Sequence, residues 1–378
     1  MKPYLKRAWA EINLSALEHN IKEISSLLCE NTSIMAVIKA DAYGHGEDDI
    51  LKKLCDCNIK YFAVSNLDEA LSVRKHCPDG EILILGYTPP EYAPELAESN
   101  IIQGVLSLDY ARELNDSTTG KVRCHVKIDT GMGRIGLKFP TPEECADEIE
   151  RIMALERLDV SGLYTHFAVA DTPDSESGQY TENQADFIIK TYDILKERGI
   201  SLEHLHFLNS AGLCHHNNSR STLARAGIIM YGLLPNYPVK IPIDIEPVMS
   251  LKAVVSQVKE LNAGDSVSYG RTYRAEHDRI RAATVTVGYA DGYSRLLSGK
   301  ADVLVRGKRC PIIGRICMDQ LVLDVSHVDD VKEGDIVTLI GRDGNEEITA
   351  DELASLYGTI GYEVVCGISK RVPRIYID

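Results

Sequence analysis

Apolar, β-branched runs recur near residues 34–38, 60–64, 82–86, 101–106, 122–128, 158–165, 204–208 and 223–229. Amphipathic stretches separate them, among them 47–57, 67–76, 142–154 and 178–198, where apolar residues return at helical spacing. The spacing predicts about eight strand–helix units. Eight such units close a parallel barrel more naturally than they build an open, doubly wound sheet. Ser15 with Glu18 reads as a capping box that opens a helix before the first barrel strand. Near 235 the character changes. The stretch PNYPVKIPIDIEP carries four prolines and no helical period, and reads as a linker. Beyond it lie short strands between glycine turns, at 248–261, 281–287, 302–306, 310–314, 321–325 and 335–341, with one helix near 349–357. The expected architecture is α/β: a (β/α)8 TIM-like barrel over 1–236, followed by a mostly β C-terminal domain over 237–378.

Composition narrows the function. A net charge of -15 opposes binding to nucleic acid, while 44% hydrophobic and 26% charged residues suit a soluble globular chain. No apolar run is long enough to span a bilayer. The N-terminal MKPYLKRAWAEINL lacks the apolar core of a secretory signal. The ten cysteines show no metal-site spacing: Cys55 and Cys57 form a lone C-x-C, and Cys214 precedes His215 and His216 without a second matched pair. No metal is expected, and reduced thiols suit the cytoplasm.

In a barrel of this kind the active site lies at the C-terminal ends of the strands. Lys39 follows the first expected strand. Lys127, Asp129 and Arg134 lie at or beyond the fifth, His166 closes the sixth, and Asn209 and Ser210 follow the seventh. Arg225 and Gly227 belong to the eighth or its exit. Strand-to-helix junctions are polar in any case, but a lysine, a histidine and two arginines on one rim form a pattern that solvation alone does not produce. Ser210 offers a hydroxyl, and Gly227 and Ile228 offer backbone N–H groups, where barrels commonly hold a phosphate. A phosphate site opposite a strand-end lysine points to pyridoxal phosphate (PLP). Gly131, Gly133 and Gly136 satisfy G-x-G-x-x-G, but Pro140 and Pro142 postpone the helix that a dinucleotide site needs. Those glycines are better read as holding Arg134 in a tight loop.

The segment AVIKADAYGHG at 36–46 resembles the PLP-attachment signature of bacterial alanine racemases. KIDTGMGRIG, YTHFAVAD, HFLNSAG, RAGIIMYG, VSYGRTY, VGYADGY, GRICMDQ and YEVVCGISKRVPR follow in that family's order, over nearly the whole chain. The resemblance implies an isomerase that interconverts L- and D-alanine, with PLP joined to Lys39 and with Lys39 and Tyr269 as the two catalytic bases. It implies that His166 neighbours the phenol, with Arg225 behind it, and that Arg225 also faces the pyridine nitrogen. Tyr43, Ser210, Gly227, Ile228 and Tyr362 match phosphate contacts, and Tyr231 is a further candidate. Arg134 matches a contact of cofactor and substrate, and Met318 a backbone donor to the substrate carboxylate. Tyr289 matches a wall of the access channel. Lys127 matches a lysine that is often carbamylated, the alternative being a pair with Asp129. Cys317 and Arg315 read as lining and structural residues.

The resemblance further implies that the first strand, about 7–12, packs with the second domain. It also implies a homodimer whose sites are shared, because Tyr269, Tyr289 and Met318 belong to the domain without Lys39. Three rivals remain. A PLP decarboxylase of similar plan commonly uses a glycine run at the phosphate, and this chain has no Gly-Gly pair. A serine or broad-specificity racemase tends to carry a smaller residue where Tyr362 stands. A non-enzymatic PLP carrier has no use for a second domain or for Tyr269.

Overall fold

The computed structural model describes residues 6–378. The first strand, β1 (Ala8–Asn13), does not join the barrel. The barrel is built from β2 (Ser33–Val37), β3 (Tyr61–Val64), β4 (Glu81–Ile84), β5 (Ile102–Val105), β6 (Val122–Lys127), β7 (Leu158–Tyr164), β8 (His204–His206) and β9 (Leu223–Ala226). All are parallel, in the order β8-β7-β6-β5-β4-β3-β2-β9. The seam between β8 and β9 is narrow: the Leu208–Ala224 bridge and the Thr222 N–H to the Leu205 carbonyl, at 2.8 Å, nearly close it. The strands are largely buried because helices cover the outside and side chains fill the inside, and the buried set includes the polar His125, Lys127, His206 and Arg225.

The helix Leu14–Leu27 begins differently from the capping-box expectation. Asn13, one residue before the helix, accepts the N–H of Ala16 at 2.9 Å and is the cap. Glu18 is engaged with Lys22 and Lys53 instead.

The second domain wraps β10 (Met249–Leu261), β11 (Ser266–Val267), β12 (Tyr273–Arg274), β13 (Ile280–Val285), β14 (Asp302–Val305), β15 (Lys308–Pro311), β16 (Leu321–Asp324), β17 (Ile336–Asp343), β18 (Glu346–Ile348) and β19 (Arg374–Ile377). β1 lies antiparallel to β10 and parallel to β19, so the chain's first described strand is held in the second sheet. Two helices interrupt this domain where the sequence pattern shows one: Ala350–Tyr357, and a second at Gly361–Cys366. The second is only six residues long, below the length at which a helical period can be recognised. It still matters, because it carries Tyr362 back to the mouth of the barrel.

Candidate active site

Strand register sets the floor of the site. Lys127 pairs with Tyr164, and Tyr164 with His206, so three polar side chains stand level on adjacent strands. Met35 pairs with Arg225, which brings the arginine beside the strand that ends at Lys39. Lys39, Tyr43, Lys127, Arg134, His166, Ser210, Arg225, Gly227, Ile228 and Tyr362 all line one cavity of about 660 Å³ at the C-terminal ends of the barrel strands.

Lys39 opens an unusual turn. Ala40, Asp41, Ala42 and Tyr43 have φ of 54°, 56°, 52° and 54°, a left-handed turn made without glycine. Each such residue costs about 1–2 kcal/mol. Strain of this kind persists where surrounding bonds over-determine it, and functional sites are where it collects. Here the turn sends Tyr43 back into the cavity, against Tyr231 and Tyr362 at ring separations of 5.2 and 6.2 Å.

Beside it lies a cradle with the shape of an anion site. The Gly227 N–H donates to Ser210 Oγ at 3.0 Å. A Cβ at Gly227 would lie 3.0 Å from Tyr43 Oη and 3.6 Å from Ser210 Oγ, so a side chain there would crowd the cradle. A short 3-10 turn, Ile228–Tyr231, starts at the same point. Tyr231 itself is fully buried behind this turn, stacked on His45, with its hydroxyl donating to the Val37 carbonyl at 3.3 Å. It supports the cradle and does not line the cavity.

The glycines at 131, 133 and 136 have φ of 143°, 70° and 117°, and no helix starts among them. Asp129 accepts the N–H groups of Gly131 and Gly133 at 3.1 and 2.9 Å, which shapes the loop carrying Arg134. Asp129 is thereby occupied. Lys127 donates instead to the Ile128 carbonyl at 2.8 Å. Burial, reinforced by Arg225, pushes the Lys127 amine down to about 7. Burial and the charge of Arg134 likewise lower Lys39.

Arg225 is buried, and that burial pushes its guanidinium down to about 10, still charged at neutral pH. It donates to His206 Nδ1 at 2.8 Å and to the Thr165 carbonyl at 2.5 Å, with His166 Nδ1 farther off at 3.5 Å. Burial, then Arg225, holds His166 well below the ordinary imidazole range. Tyr164 was not singled out by sequence. Its ring lies 5.5 Å from Lys127 Nζ and 5.7 Å from the Arg225 guanidinium, between the two cations. Its place in YTHFAVAD, two residues before His166, was the available signal.

Tyr269, Tyr289 and Met318 stand apart from this cavity. Tyr269 and Met318 border a shallower depression of about 540 Å³ with Ser268 and Cys317. Tyr269 is 67% exposed and Met318 52%, and the two adjoin each other along the depression. Ser268 takes φ 64° and bonds the Arg315 carbonyl and Cys317 Sγ, which turns Tyr269 outward. The Tyr289 and Ala290 N–H groups donate to the carbonyls of Cys317 and Met318, each at 3.0 Å. The absence of a side chain at Gly288 permits that approach, since a Cβ there would fall 2.3 Å from the Cys317 carbonyl oxygen. The three residues therefore share one exposed patch, and no hydrogen bond among the described residues joins it to Lys39.

The family profile for the alanine racemase N-terminal domain matches residues 12–235, and that for the alanine racemase C-terminal domain matches 248–376. The chain is 42% identical to alanine racemase of Desulfovibrio desulfuricans, covering 100% of both chains. It is 41% identical to that of Clostridium tetani, over 100% of this chain and 97% of the relative. Among solved structures, alanine racemase from Bacillus anthracis with bound L-Ala-P superposes with a TM-score of 0.91 at 36% identity, covering 100% of this chain and 96% of the other. Histidine racemase from Leuconostoc mesenteroides superposes with a TM-score of 0.87 at 30% identity, covering 100% and 99%.

Proposed function

The chain belongs to the alanine racemase family and is a racemase of alanine, and on that premise we propose which of its residues do the work. The observation that supports this reading most is the convergence of Lys39, Arg134, His166 and Arg225 with the Tyr43–Ser210–Gly227 cradle on one cavity. The family is PLP-dependent, and the residues present suit that cofactor: an amine lowered by burial, an anion cradle that a Cβ at Gly227 would crowd, and a buried guanidinium lining the same cavity. Lys39 would hold its aldehyde end. Tyr43, Ser210, Gly227, Ile228 and Tyr362 would hold the phosphate, Arg225 the pyridine nitrogen, and Arg134 the phenolic oxygen. Bound there, PLP supplies a conjugated ring that accepts electron density from the substrate's α-carbon.

Racemisation needs proton transfer on both faces of that carbon. Lys39, with its amine lowered by burial and by Arg134, takes or returns the proton on one face. On the other face the phenol of the partner subunit's Tyr269 does so, with His166 and Arg225 behind it. Arg225 stays protonated, so toward a pyridine nitrogen it could only donate, and a ring held that way would be a weaker electron sink than one facing a carboxylate. The partner subunit's Met318 offers its backbone N–H to the substrate carboxylate, beside Arg134. The partner subunit's Tyr289 and this chain's Tyr362 bound the space around the methyl group. The exposure of Tyr269, Tyr289 and Met318 on one patch supports a two-fold homodimer with shared sites. We place the division of labour near residues 236–237, with cofactor residues before it and partner-facing ones after it, Tyr362 excepted.

No helix among the described residues is long and apolar enough to cross a membrane. All ten cysteines are unpaired, which supports a cytoplasmic location. The test is the α-proton of L-alanine in D₂O with the purified holoenzyme, followed by NMR. Exchange with appearance of the D-enantiomer is expected. A cofactor carrier would give neither.

A further inference from the structure

The strained turn that begins at Lys39 is tied down from outside by a side chain with no assigned role. Glu69 lies in the first turn of the helix Leu67–His76, which Asn66 caps by accepting the Glu69 N–H at 3.0 Å. A glutamate at this position ordinarily reaches back to the start of its own helix. One carboxylate oxygen does so, accepting the Ser65 N–H at 2.7 Å. The other crosses to the neighbouring strand end and accepts the Ala40 N–H at 2.8 Å. One carboxylate thus clamps the ends of β2 and β3, at the residue next to Lys39.

The rest of the left-handed turn is held by its own backbone, with the N–H groups of Ala42 and Gly44 on the carbonyls of Ile38 and Ala40. Its far end is fixed by Arg374 on the Gly44 carbonyl and by Asp41 on the Glu47 N–H. Ala40 is exposed, so water could take its N–H. What Glu69 adds is therefore direction: it fixes how the chain leaves β2, and with it where the Lys39 side chain starts.

We propose that Glu69 is a positioning residue for Lys39, holding the amine on line for the cofactor through the Ala40 N–H while placing a negative charge beside it. The inference rests on Lys39 as the cofactor's lysine. The charged and titratable groups that face Lys39 are Arg134, after β6; His166, after β7; Cys366, in Gly361–Cys366; and Glu69. Glu47 is the acidic group that feels Glu69 from the next helix. Burial and Arg134 lower the Lys39 amine, and Glu69 opposes them.

The test follows covalent capture of PLP by the full chain, stripped of cofactor and exposed to it again, as a function of pH. Absorbance of the lysine-linked cofactor is the readout. In Glu69→Gln the capture rate at high pH, where the amine is neutral in both proteins, should fall about tenfold, the size of one lost charge-assisted hydrogen bond. The midpoint of the pH profile should also move to lower pH, because the charge that raised the amine is gone. Glu69→Asp keeps the charge but is too short to span both N–H groups. Its plateau should fall while its midpoint stays near that of the native chain. A purely structural role would lower the plateau without moving the midpoint. An unchanged plateau in Glu69→Gln, or a midpoint that stays or rises, overturns the proposal. Should Glu69→Gln not fold, amide exchange on the native chain decides. Protected Ala40 and Ser65 amides are expected, and fast exchange at both overturns it. Capture by Lys39→Ala at the native rate would instead remove the lysine assignment, a separate failure.

Discussion

Arg225 donates to Nδ1 of His206 at 2.8 Å, and that bond orders the protons in the barrel floor. Arginine has no acceptor, so His206 must present a bare Nδ1 and carry its proton on Nε2. That Nε2 lies 3.0 Å from His125 Nδ1 and donates to it. His125 in turn carries its proton on its own Nε2, which is buried and has no partner among the described residues. Its ring packs on Gly162, where a Cβ would lie 2.8 Å away. The chain Arg225→His206→His125 is therefore directional, and it ends at a buried N–H with no protein acceptor among the described residues. It requires both rings neutral, which fixes how this part of the molecule answers to acid.

Burial pushes His125 down to about 3 and His45 to about 4, and with Arg225 it holds His206 well below the ordinary value. An unfolded chain would protonate all three near pH 6.5. Below that pH the unfolded state binds more protons than the native one, so stability falls as pH falls, by about 1.4 kcal/mol per pH unit for each such group until its native pKa is reached. The urea midpoint should therefore drop between pH 7 and pH 5. His125→Gln should flatten that slope. A slope that is equally steep in the variant would show that other groups set it.

The apolar strand runs were legible because fully buried parallel strands are continuous in sequence, and the positions at their ends came with them. Lys39, His166 and Arg225 could be placed on the rim by that reasoning alone. The left-handed turn at Ala40–Tyr43 could not, since nothing in KADAY replaces the glycine that such a turn normally demands. Glu69, Tyr164 and His206 read as ordinary helix and strand residues, because their roles arise from register between units far apart in sequence. Tyr269 and Met318 are silent for another reason. In the single chain they lie outside the cavity that Lys39 lines, and only likeness to a family brings them to the chemistry.

Lys127 offers a test of its proposed carbamylation. The modification requires a neutral amine, and burial with Arg225 pushes this one down to about 7. At pH 8 most of it is neutral, whereas an ordinary lysine is almost wholly charged. Carbon dioxide should add to the neutral Lys127 amine with loss of a proton, leaving an anion near Arg134 where there had been no charge. Intact mass or ¹³C NMR with labelled bicarbonate should show one labile carbamate per chain, absent in Lys127→Ala. Activity of the native enzyme should decline on removal of carbon dioxide and return with bicarbonate. No label at Lys127 would leave its bond to the Ile128 carbonyl as its whole role.

Shared sites are tested by mixing. Lys39→Ala should lose nearly all racemisation, and Tyr269→Ala should lose most of it. A heterodimer of the two has one site with both lesions and one with neither. Mixed under conditions in which subunits exchange, the pair should recover activity toward a quarter of the native value, since about half of the dimers are mixed and each holds one intact site. Exchange demonstrated by mass, with no activity recovered, would place each site within a single chain.

The two proposed bases approach opposite faces of the α-carbon, so each should serve one enantiomer. By likeness to the family, Lys39 takes the proton from D-alanine and the partner subunit's Tyr269 takes it from L-alanine. Removing the phenol leaves the lysine face competent. Tyr269→Phe should still exchange the α-proton of D-alanine with D₂O, at a reduced rate. Exchange from L-alanine should fall by about 10²–10⁴, the usual contribution of a general base, and net racemisation should follow the slower face. Proton NMR of each enantiomer separately gives the answer. The exposed, outward-turned phenol makes the alternative outcome informative as well. If exchange drops equally for both enantiomers, Tyr269 acts by closing the partner's cavity against water and not by moving a proton.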